Sequence, residues 1–111
     1  MAKFMVIYHA PVSAAEQMAN ATPEEMQKGM EPWMAWAGRA GSALVDMGAP
    51  LAGGQKLTKS GSSGSDKHVA GYSILEAADM AAALKLLEGH PHLESGDGFE
   101  IEVHEAIPMG M

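Results

Sequence analysis

Five histidines and no cysteine occur among 111 residues. Proton transfer near neutral pH, or metal ligation through nitrogen, is therefore the chemistry that these side chains suit best. Without cysteine there is no thiol nucleophile, thiolate metal site or disulfide, and the composition fits a reducing compartment. His90 and His92 flank Pro91, a spacing that aims both rings the same way in an extended segment. As a metal signal the pair is weak, because a dependable site needs three or four ligands of fixed geometry. His9 and His68 stand at the ends of two apolar segments, and Tyr8, Tyr72 and Trp36 are aromatic groups able to wall a pocket beside them.

The elements that must position these groups follow from the pattern. Residues 3–9 (KFMVIYH) are rich in β-branched and aromatic types and predict a strand. Thr22-Pro23-Glu24-Glu25 is a helix start, with Thr22 as N-cap and Pro23 in the first turn. Met26, Met30, Trp33, Ala37, Ala40, Leu44 and Met47 then recur every three or four residues, which predicts one helix ended by Gly48 and Pro50 and kinked or split at Pro32. Residues 55–59 predict a weak strand, 60–65 (SGSSGS) a flexible loop, 68–75 a strand, 79–88 a helix and 99–107 a strand of alternating polarity.

The order is β-α-β-β-α-β, a ferredoxin-like α+β plan in a single domain over residues 1–111, with sheet order 4-1-3-2 and both helices on one face. On this plan the end of the first strand, the start of the third and the loop after the second helix share one end of the sheet. His9, His68, His90 and His92 then converge there, with Asp66, Glu94 and Asp97 in nearby loops, and His104 falls away.

The first and third strands carry apolar residues on both faces, Phe4, Val6 and Tyr8 against Met5 and Ile7 in the first. Helices cover one face only. The other leaves a patch of several hundred Å² that monomers rarely tolerate, and hiding it at about 25 cal/mol per Å² favours a face-to-face homodimer. The net charge of −7 repels phosphate backbones and anionic headgroups, so neither nucleic acid nor membrane is an expected partner. The apolar run at residues 4–8 is too short for a signal segment or a span, and a cytoplasmic location is expected.

The whole chain resembles the YCII-related family, in the branch of short proteins grouped with DGPF-type domains. The stretches that carry the likeness are KFMVIYH, TPEEMQKGMEPWMAWAGRAGSALVDMGAPLAGG, VAGYSILEA, EGHPHLESG and FEIEVHEAIPM. The resemblance implies a dimeric α+β barrel. Some members look like enzymes that use a histidine on the first helix and an aspartate just before a proline after the second. Here the corresponding helix reads Trp33-Met34-Ala35-Trp36-Ala37, His90 stands before Pro91, and Ser65-Asp66-Lys67-His68 replaces the DGPF motif. That dyad is not carried over.

Three functions stay open on the sequence. The first is a small-molecule enzyme, lyase-, isomerase- or hydrolase-like, with His90, His92 and His9 as acid–base groups and Trp36, Tyr8, Tyr72 and His68 contacting the ligand. The second is a non-catalytic module binding an apolar metabolite in the same helix–sheet pocket, and the third a dimerisation module without a pocket. No cofactor is expected, a divalent metal on the histidines being the one alternative.

Overall fold

The computed structural model describes residues 1–12, 16, 19, 21–65 and 67–109; the expected role of Asp66 lies outside them. The chain forms strand β1 (Ala2–His9), helix α1 (Pro23–Ala40), strands β2 (Leu44–Pro50), β3 (Gln55–Thr58), β4 (Gly61–Gly64) and β5 (Val69–Ala77), helix α2 (Met80–Leu86) and strand β6 (Glu100–Ala106). Short 3-10 turns cover Gly41–Ala43 and Pro91–Glu94. This is an α+β architecture whose main sheet is antiparallel in the order β2-β5-β1-β6.

The helix starts follow capping chemistry. Thr22 Oγ1 accepts from the Glu25 amide at 3.1 Å, and Asp79 Oδ1 accepts from the Ala82 amide at 2.8 Å. Alternation divides β1 cleanly. Phe4, Val6 and Tyr8 are buried against Trp36 and Ala40 of α1, Leu75 and Ala77 of β5, and Ala83 and Leu87 at α2. Both helices thus cover one face of the sheet. On the other, Met5 is 37% exposed, and Ile7, Tyr72 and Ile74 are half-buried with no helix over them among the described residues.

Three expectations are corrected. The helix does not reach residue 47: Gly41, at φ 58°, stops it, and residues 44–50 form the edge strand β2. Leu44 and Met47 keep the helical period by coincidence, and pairing of Leu44 with Leu75 and of Ala49 with Tyr72 decides the outcome. Pro32 does not split the element; α1 runs through it, with Pro32 on the exposed side where the carbonyl left without a donor can reach water. Finally, the 55–59 segment is not a strand of the main sheet. It pairs with residues 61–64, expected to be a loop, in a separate two-stranded hairpin.

Candidate functional site

A cavity of about 230 Å³ opens between α1, the central strands and the bulged edge strand β2. Its wall is formed by Tyr8, Met30, Trp33, Met47, Gly48, Ala49, Pro50, Ala70, Gly71, Tyr72 and His92. No Asp, Glu, Lys or Arg is among them.

Two glycines make the shape possible. Gly48 has φ 80°, donates its amide to Asp46 Oδ1 at 2.8 Å, and lies so close to β5 that a Cβ would fall 1.7 Å from the Tyr72 carbonyl oxygen. At Gly71 a Cβ would meet the Ala49 carbonyl oxygen at 3.1 Å and the Tyr8 ring at 3.3 Å.

Behind this wall runs a hydrogen-bond chain whose direction follows from one contact. The His92 amide donates to His90 Nδ1 at 3.0 Å, so Nδ1 carries the lone pair and Nε2 the proton. Nε2–H then donates to the Tyr8 oxygen at 3.2 Å, the Tyr8 hydroxyl donates to Ser73 Oγ at 2.7 Å, and Ser73 donates to the Met47 carbonyl at 2.7 Å. His90 is fully buried and packed among rings, with centroids 4.3 Å from Trp36, tilted by 60°, and 4.6 Å from Trp33, edge-on at 89°. Burial, then the neighbouring charges of His92 and Arg39, lowers its pKa from 6.5 to about 4. Burial likewise pushes Tyr8 up to about 12, against the lowering effect of its bond to Ser73.

His92 differs from His90. Its Nε2 lies 2.8 Å from the His9 carbonyl oxygen. An oxygen of that kind only accepts, so Nε2 bears the proton and Nδ1 the lone pair. That nitrogen makes no hydrogen bond among the described residues, on a ring that lines the cavity. Tyr8 and Phe99, with ring centroids at 5.1 and 5.4 Å, hold the ring in place.

The structure thus brings together His92, Tyr8 and, behind them, His90; Tyr72 borders the cavity, but its pairing with Ile7 sets its side chain on the uncovered face. It separates the others. His9 contributes its carbonyl; its ring lies at the strand position shared with Met5 and Ile7, on the uncovered face. There His9 Nε2 is buried without a hydrogen bond, 3.6 Å from Glu102 Oε1. His104 lies 2.9 Å from the same oxygen, and this bond holds the Glu102 carboxyl below its ordinary pKa. His68 borders a second cavity of about 480 Å³ with Lys67, Leu51 and Gly54. Glu94 and Asp97 are exposed.

The two tryptophans exchange the roles that periodicity suggests. Trp36 is fully buried and donates its indole N–H to the Leu86 carbonyl at 2.9 Å, whereas Trp33 lines the cavity. Met30 and Met47 supply the methionine lining expected of a helix–sheet pocket, whereas Ser73 is a site residue that the sequence pattern did not single out. Ser73 carried a signal: it is a polar residue at a core position of β5, opposite Val6.

Among the described residues no group of three or more His, Cys, Asp or Glu is placed to hold a metal ion, and no helix is long and apolar enough to cross a membrane. No protein-family model matches the chain, and no curated protein matches it in sequence.

Proposed function

We propose that this chain is a YCII-related, ferredoxin-like domain that works as a homodimer and takes a small, neutral molecule into its helix–sheet cavity, where His92 moves a proton. The observation that carries the reading is the unpaired Nδ1 of His92 on a ring lining a cavity without a charged residue. A cavity of about 150 Å³ suffices for benzene, so 230 Å³ suits a substituted ring. Among the described residues no lysine, arginine or carboxylate lines the wall, which disfavours ionic ligands, since they would lose hydration without a partner.

In this reading Nδ1 accepts a proton from an acidic carbon or oxygen of the ligand, and the imidazolium keeps its Nε2–H on the His9 carbonyl. Returning the proton at a second atom completes an isomerisation; returning it to a leaving group completes an elimination. Neither needs a co-reactant. A hydrolase-like course would have the same nitrogen activate water. The uncovered face built on Met5, Ile7, Tyr72 and Ile74 is the surface that a second copy covers in this proposal.

A second reading, binding without chemistry, is favoured by the completed chain His90–Tyr8–Ser73–Met47, which leaves His92 without an obvious acid partner. Deuterium wash-in from D₂O into neutral cyclic ketones, followed by ¹H NMR, separates the two. Proton transfer predicts catalysed exchange that His92→Gln abolishes while ketone binding persists. Equal exchange in both proteins removes proton transfer and leaves the binding module.

A further inference from the structure

All eight strand residues of the β3–β4 hairpin are exposed, Leu57 to 81%, and among the described residues its strands pair only with each other. Isolated two-stranded hairpins are marginal in water, and a strand reading Gly-Ser-Ser-Gly has little intrinsic preference to form one. Such a hairpin gains most from a partner that covers it.

Charge identifies the complement. Residues 55–65 carry Lys56 and Lys59 and no acidic residue, in a chain of net charge −7. Strand β6 carries Glu100, Glu102 and Glu105, all exposed, and no lysine or arginine. It stands at an edge of the sheet, paired with β1 on one side, so that among the described residues its other side offers free backbone donors and acceptors. The hairpin joins β2 to β5, and β2 is the opposite edge. To reach the β6 of its own chain it would have to cross β5 and β1. A two-fold axis removes the difficulty by setting the β2 edge of each copy against the β6 edge of the other.

We propose that residues 55–64 form an arm that lies along β6 of a second copy of this chain, with Lys56 and Lys59 beside its exposed glutamates, Glu100 and Glu102 on one face and Glu105 on the other, and that the exchange is reciprocal. The proposal rests on the dimer reading above, and adds the elements that hold the dimer and the source of its specificity. Cross-strand pairs of opposite charge stabilise such an edge, and like charges oppose it. Because the pairs are exposed until the copies meet, association weakens with salt.

The test is a charge exchange read by sedimentation velocity. Lys56→Glu/Lys59→Glu places acid on acid in its own homodimer, and Glu100→Lys/Glu105→Lys places base on base. Each variant alone should dimerise about tenfold or more weakly than the wild type. Mixed together they match at both contacts, and the heterodimer should return to near wild-type affinity. Circular dichroism spectra unchanged from the wild type would establish that each variant is folded. A wild-type dimer whose affinity neither double substitution changes, or a mixture no tighter than its components, overturns the arm while leaving the dimer. A wild type that stays monomeric at high concentration overturns both.

Discussion

The His92 amide donates to His90 Nδ1 at 3.0 Å, and this bond between two near neighbours assigns opposite duties to two similar side chains. His90 becomes a fixed neutral donor to Tyr8, with both nitrogens used. His92, anchored through Nε2 on the His9 carbonyl at 2.8 Å, keeps the nitrogen that is free to work. The sequence offers His90 and His92 as equivalent acid–base candidates; burial and backbone geometry make them unequal.

The depressed pKa of His90 makes stability acid-sensitive. The folded state resists protonation until about pH 4, whereas the unfolded chain takes up the proton near 6.5. Stability from this group is therefore complete above 6.5 and is lost as pH falls toward 4. Between pH 7 and 5 the loss should be about 2 kcal/mol. Urea denaturation of the wild type and His90→Gln at both pH values checks it, the variant showing the smaller difference.

Tyr8→Phe removes the middle of the chain, leaving the His90 Nε2–H without an acceptor and Ser73 without its donor. The expected cost is about 1–3 kcal/mol, measured by chemical denaturation at pH 7. Ser73→Ala should cost a comparable amount, since it leaves the Tyr8 hydroxyl without an acceptor and the Met47 carbonyl without this donor.

The two cavity glycines should differ sharply. At Gly48 a side chain meets both a positive φ and a carbonyl oxygen 1.7 Å away, so Gly48→Ala should lose more than about 2 kcal/mol. At Gly71 the contacts of 3.1 and 3.3 Å ask only for small shifts. Gly71→Ala should fold with modestly lower thermal stability.

Filling the cavity should block it. Ala49 lines it on the edge strand and is exposed, so Ala49→Leu can be accommodated. Thermal shift with indole, a neutral ring carrying one N–H donor, should fall away in this variant and persist in the wild type.

Much of the frame is legible in the residues. Thr22 and Asp79 announce the helix starts, and alternation marks β1, β5 and β6. Strand β2 is hidden because Leu44 and Met47 extend a helical period that Gly41 interrupts. The exchange of Trp33 and Trp36 has a similar origin. The expected stripe includes Met26 and Met30, which are 41% and 48% exposed, whereas the face that packs is Trp33, Trp36, Ala37 and Ala40. The direction of His9 was available from its odd position beside Met5 and Ile7. The value of its carbonyl to His92 was not, since only the folded turn at Pro91–Glu94 brings the two together.

Long-range ¹H–¹⁵N NMR of the histidine side chains, titrated with indole, bears on the account at its centre. His92 should appear as the Nε2–H tautomer near neutral pH, its Nδ1 resonance should move as indole is added, and His90 should stay still. A His92 in the Nδ1–H form, or a His92 Nδ1 unmoved by indole that shifts the cavity aromatics, would contradict it.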